Sequence, residues 1–154
     1  MIIWRGWGVL AFVYIAVLAM LLGGALGAGA LQSSAAAGPL AGLGIILGGV
    51  LTALHGYYLN IMGPKKRAAQ WEEAERPRLE SAAASGNLVV GNVQPSSRAE
   101  ADQMIESVLA DGRRVIGKHG PHSLFWIPME AVGILAIIGG LAVVVITTIG
   151  ALGG

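Results

Sequence analysis

From Ala131 to Gly154 the chain carries no charged residue. About 20 apolar residues, rising ~1.5 Å each along a helix, cross a hydrocarbon core of about 30 Å. A run of this length reads as a membrane span, because a helix satisfies all its main-chain hydrogen bonds within one segment. Two further runs come earlier. One extends from Gly8 to about Ala30. The other extends from Leu40 to about Ile61, polar only at Thr52, His55, Tyr57, Tyr58 and Asn60. Of the 154 residues, 55% are hydrophobic and 12% charged, against about 25% charged in a soluble domain. The expected fold is an all-α membrane protein with three transmembrane helices and a small, mostly helical cytoplasmic insert between spans two and three. Its divisions are a transmembrane hairpin over 1–62, the insert over 63–122 and the third transmembrane helix over 123–154.

Ala28-Gly29-Ala30 has the small residues of a secretory cleavage site. The lead before the first run is apolar rather than basic, however, and the apolar core exceeds the usual ~7–15 residues, so it reads as a span. Residues 31–39 form a short polar and small-residue loop, which makes spans one and two an antiparallel hairpin. Gly63-Pro64 is expected to stop the second helix. A polar helix should follow to about Ser85, broken or bent at Pro77. Leu88-Val89-Val90 reads as a short extended piece. Ser97 with Glu100 is a capping-box start. Ala101, Met104, Ile105, Val108 and Leu109 then form the apolar face of a helix ending near Asp111-Gly112. That face needs a cover, which the 65–85 helix, the membrane surface or a partner could supply.

Every Lys and Arg is either Arg5 or lies between Lys65 and Lys118. With three spans, Arg5 and the insert share one side, and the excess of positive charge places that side in the cytoplasm. The C-terminus then lies outside, and the expected location is the bacterial inner membrane. Trp4, Trp7, Tyr57, Tyr58, Phe125 and Trp126 all fall at the cytoplasmic ends of the spans, as interfacial anchors do.

Small residues recur every four positions. Span one has Gly23 and Gly27, span two has Gly44, Gly48, Thr52 and Gly56, and span three has Ala136 and Gly140. Four residues is about one helical turn, so each set lines one face where backbones can approach closely. Whether these faces pack within the chain or against a partner stays open from sequence.

Arg5 and Glu130 are the charges closest to the starts of spans one and three, a candidate ion pair. With Pro128 opening the third helix, Glu130 also suits the first turn, where the helix dipole favours an anion. Lys65, Lys66 and Arg67 directly after span two are candidates for lipid head-group contact. His55, His119 and His122 have no spacing that fits haem or zinc, and no cofactor or metal is expected. Cysteine is absent, which removes thiolate chemistry, and a net charge of +1 argues against nucleic acid.

The opening Ile2-Ile3-Trp4-Arg5-Gly6-Trp7-Gly8 and the stretch His122-Ser123-Leu124-Phe125-Trp126-Ile127-Pro128-Met129 resemble small bacterial inner-membrane proteins with an Ile-Trp-Arg-Gly lead and a His-Ser-Leu-Phe-x-Ile-Pro-Met approach to the last span. The resemblance implies a bacterial membrane protein and joint action of Arg5 with the His122–Glu130 stretch. It implies no activity. No nucleophile–base–acid spacing points to an enzyme. The expected role is a non-catalytic accessory or scaffolding subunit of a larger membrane complex, respiratory or photosynthetic, contacting lipids and other membrane subunits. The alternative is a stand-alone or self-associating protein whose insert binds anionic lipid or a soluble partner.

Overall fold

The computed structural model describes residues 4–152, with Trp4 described in its main chain only. The Trp4 side chain as an anchor, and the Ile2-Ile3 part of the resemblance, lie outside the described residues. The chain divides into two compact units, one of residues 1–60 and 121–154 and one of residues 61–120. Pro121 and His122 therefore belong with the spans, not the insert.

The first unit holds α1 (Val9–Ala19), α2 (Ser34–Tyr57) and α5 (Met129–Leu152). After α1 the helix continues over Met20–Ala30 in wider i→i+5 turns, in a stretch where Gly23, Gly24, Gly27 and Gly29 remove steric bulk. Three helices are long and apolar enough to cross a membrane. In the most apolar windows of the first and third, only 11% of residues are buried by the rest of the chain. So much exposed apolar surface is compatible with lipid contact.

The link between spans one and two is shorter than the sequence suggests. Helix α2 begins at Ser34, because the Ser33 hydroxyl accepts from Ala36 N–H at 3.2 Å and caps it. Pro39 therefore lies inside the helix rather than in a loop. As the sixth residue of the helix it forgoes the bond its own N–H would have made.

Helix α2 is central and has two close-packed faces. Gly44 and Gly48 meet the backbone of Leu18–Ala19 and Tyr14–Ile15 on span one, while Gly23 and Gly27 meet Ala41 and Ala37 in return. Thr52, fully buried, donates to Ala11 carbonyl oxygen at 3.5 Å on the same face. A second face is turned to span three, and its period is seven. Gly42, Gly49 and Gly56 meet Val144, Gly133 and Met129–Glu130, respectively. Gly133 and Gly140, also seven apart, return the contact to Gly49–Ala53 and Gly42–Ile46. Gly56 thus belongs to this second seam rather than to the face of Gly44, Gly48 and Thr52. Ala136 is half-buried. A seven-residue period keeps one seam facing a supercoiling neighbour, and the carbonyl approaches at Gly49 and Gly133 suit Cα–H···O contacts.

The second unit is an antiparallel helical hairpin of α3 (Gly63–Ala84) and α4 (Arg98–Ile116). Gly63-Pro64 does not stop the helix: Met62 before it is itself helical, at φ −67° and ψ −45°, and α3 runs on from Gly63. Pro77 is accommodated within α3, which runs unbroken to Ala84. The apolar face of α4 is covered from within the insert. Leu88, Ala101, Ile105 and Leu109 form a buried cluster, with Trp71, Leu79, Ala82 and Met104 packed against it. Ser97 caps α4 by accepting from Glu100 N–H at 3.2 Å. The Glu100 carboxylate returns to Ser96 N–H at 2.7 Å, one residue before the capping-box position. Leu88–Val90 leads into a tight turn at Gly91-Asn92, closed by Val90 and Val93.

Helix α4 passes through Gly112 to Ile116 rather than ending there. The Trp71 ring occupies the place where a Gly112 side chain would stand, so this glycine is a notch for an aromatic ring, not a stop. Gly112→Val should displace Trp71 and destabilise the insert by about 1–3 kcal/mol, the usual cost of overpacking. Ala110→Val, at an exposed position, should change little. Amide exchange of α4 in the full chain distinguishes the two.

The two helices are also joined by charge. Glu72 accepts from Arg113 at 2.7 Å and from Arg76 at 3.0 Å, and Arg76 donates to Glu106 at 2.6 Å. Arg113 and Arg76 hold the Glu72 carboxyl below its usual range, and Arg76 does the same for Glu106. Carboxyls depressed in the folded state stabilise it above their ordinary range, and this contribution is lost as pH falls through the folded values. Exchange of α4 amides, corrected for intrinsic rate, should therefore quicken below about pH 4.5. Glu72→Gln should flatten that response.

Candidate functional site

The first unit is closed at one end by a small sheet that the sequence does not signal. Strand β1 (Trp4–Arg5) pairs antiparallel with β2 (Ser123–Leu124), which pairs antiparallel with β3 (Ile127–Pro128). In register, Trp4 lies opposite Leu124 and Arg5 opposite Ser123. Phe125 and Trp126 are the two residues of the β2–β3 turn, at φ +49° and +63°. Tight hairpins need left-handed residues there and normally use Asn-Gly. Bulky side chains in that region are strained, at roughly 1–3 kcal/mol each. Both rings project outward, 56% and 61% exposed.

What holds this turn is a buried amide. Asn60, in the wide turns Tyr58–Met62 that follow α2, is completely buried. Its Nδ2 donates to His122 carbonyl oxygen at 2.9 Å and to Glu130 Oε2 at 2.7 Å, and its Oδ1 accepts from His122 N–H at 3.0 Å. Every proton and one lone pair of the side-chain amide are used. The main-chain N–H of His122 can only donate, which fixes the atom facing it as oxygen. Met129 N–H donates to the same His122 carbonyl at 3.1 Å. Asn60 therefore ties the end of span two to β2 and to the first turn of span three. Glu130 sits in that first turn, as expected for an anion.

The His122 ring extends the network to span one. Its Nδ1 accepts from Trp7 N–H at 3.0 Å. The ring lies against Gly6, at φ +54°, where a side chain would collide with it. Gly8 comes so close to the Ser123 carbonyl that no side chain fits there either. Further along the bundle, the Tyr14 hydroxyl and His55 Nδ1 share a hydrogen bond of 2.8 Å.

Of the residues singled out from sequence, Arg5 lies exposed on β1, while Glu130 and His122 meet at Asn60. Trp7, Tyr57, Tyr58, Phe125 and Trp126 are all roughly half exposed, at the end of the bundle where α1 and α5 begin and α2 ends. Lys65, Lys66 and Arg67 are exposed in the first turns of α3. Asn60 carries no sequence signal beyond being a polar residue at the end of an apolar run. Among the described residues no group of three or more His, Cys, Asp or Glu is placed to hold a metal ion. No family model, curated protein or solved structure matches this chain.

Proposed function

We propose that this chain is a non-catalytic accessory or scaffolding subunit of a larger bacterial inner-membrane complex. The observation that carries the reading is where the buried polar groups go. Asn60, Thr52 and the Tyr14–His55 pair each bond across the bundle, from one span to another or to the hairpin. Among the described residues no buried side-chain nitrogen or oxygen lacks a partner. Polar groups within a membrane generally serve function or fix helices, and here their geometry is that of fixing helices. The small-residue faces pack within the chain, so contact with other subunits falls to the outward surface. On α2 that surface includes Leu43, Leu47, Val50, Leu51, Leu54 and Tyr57. On α5 it includes Gly139 and Gly150, which have open space beside them. The distribution of Lys and Arg supports a cytoplasmic N-terminus and insert, and the resemblance supports a bacterial source.

The test is native-gel migration of the tagged protein from mild-detergent membranes, with mass spectrometry of the co-migrating band. An accessory subunit runs with a large complex. Migration alone or as a small oligomer overturns the reading. It would favour the second one, in which the insert meets anionic lipid through Lys65, Lys66 and Arg67. That reading rests on their exposure in three successive positions and on attraction of about 1 kcal/mol per charge to an anionic leaflet.

A further inference from the structure

We infer that the His122 imidazole is a proton-operated clasp that holds the N-terminal strand onto the Phe125–Trp126 hairpin. A main-chain N–H has only a proton to offer, so the Trp7–His122 hydrogen bond of 3.0 Å requires a lone pair on Nδ1. The ring that closes the clasp is therefore the neutral one protonated on Nε2. Charging the ring places a second N–H at Nδ1, facing the N–H of Trp7, and the bond is lost.

The backbone of the same residue does not share this sensitivity. His122 N–H and carbonyl are held by Asn60 and Met129 whatever the charge on the ring. The hairpin stays tied to spans two and three while the one hydrogen bond from its ring to Trp7 is lost. Among the described residues, the two-residue pairing of β1 with β2, marginal by itself, and the close approach of Gly8 to the Ser123 carbonyl remain. The other titratable groups of the first unit among the described residues are Arg5 on β1, Tyr14 on α1, His55 and Tyr57 on α2, Tyr58 in the turns carrying Asn60, and Glu130 on α5. Imidazole changes charge near pH 6.5, so the clasp is closed in mildly alkaline solution and opens on acidification.

The experiment is amide exchange at Trp7 in the full chain, in detergent or nanodiscs, with intrinsic rates divided out. Loss of one hydrogen bond corresponds to about a tenfold fall in Trp7 protection between pH ~8 and ~5. The variant His122→Asn supplies Oδ1 near the place of Nδ1, an acceptor that does not titrate. In that variant the protection should persist and its pH dependence disappear. Nitrogen-15 shifts of the wild-type ring at pH ~8 should report an unprotonated Nδ1, a readout that survives even if the variant fails to fold. Equal Trp7 protection at both pH values overturns the clasp. So does an Nδ1-protonated tautomer, or the same acid response in His122→Asn.

Discussion

Asn60→Leu is expected to be the most damaging single substitution in the bundle. It deletes both donors and the acceptor that Asn60 supplies to His122 and Glu130. The leucine fills similar space but leaves the His122 N–H and one Glu130 oxygen without those bonds. A buried polar group deprived of its partner costs about 1–3 kcal/mol, and more when charged, so a loss of about 3–5 kcal/mol is expected in SDS-driven unfolding from mixed micelles. The turn at Phe125–Trp126 should relax as well, because its strain is sustained by these bonds. Asn60→Asp separates hydrogen bonding from packing. It keeps the acceptor for His122 N–H but sets a second carboxylate against Glu130, so it should also destabilise at neutral pH. Adding Glu130→Gln restores a donor opposite an acceptor and should recover much of the loss. Wild-type stability in Asn60→Leu would remove Asn60 from this role.

The three long apolar helices are legible because charge-free runs of that length are unambiguous. Local breaker rules are less dependable. Pro39, Gly63-Pro64, Pro77 and Gly112 all read as interruptions, yet all lie within helices. At Pro39 and Pro77 the helix forgoes the bond that the proline N–H would have made and continues. At Gly112 the missing side chain makes room for the Trp71 ring, and the helix runs on. The small-residue faces are visible at a period of four, which captures the contact with span one. The contact with span three has a period of seven, written in Gly42, Gly49 and Gly56 and again in Gly133 and Gly140, and only a search at that spacing would find it. The polar site is the least legible part. A lone asparagine has no periodicity, and a Phe-Trp turn lacks the Asn or Gly that announces a tight hairpin. Its identity depends on partners 62 and 70 residues away.

The seven-residue seam leads to the second large effect. Gly49→Val should separate span two from span three. A β-carbon at Gly49 would stand 2.7 Å from the Gly133 carbonyl oxygen, and one at Gly133 would stand 2.5 Å from that of Gly49. The obstacle is main chain on both sides, so no side chain can turn aside and the helices must part. Overpacking costs about 1–3 kcal/mol where neighbours can yield, and a rigid backbone seam places this variant at or above the top of that range. Gly133→Val should match it, and the double variant should cost less than the sum, since the first substitution has already opened the seam. Gly139→Leu is the control, with nothing near its side-chain position, and should shift stability by no more than about 0.5 kcal/mol. The same trio bears on the proposed role. Open space beside Gly139 is where another subunit could approach closely. Loss of co-migration in Gly139→Leu with its stability intact would locate a partner on the outer face of α5, whereas loss only in Gly49→Val would mean that the bundle must be assembled before any partner can bind.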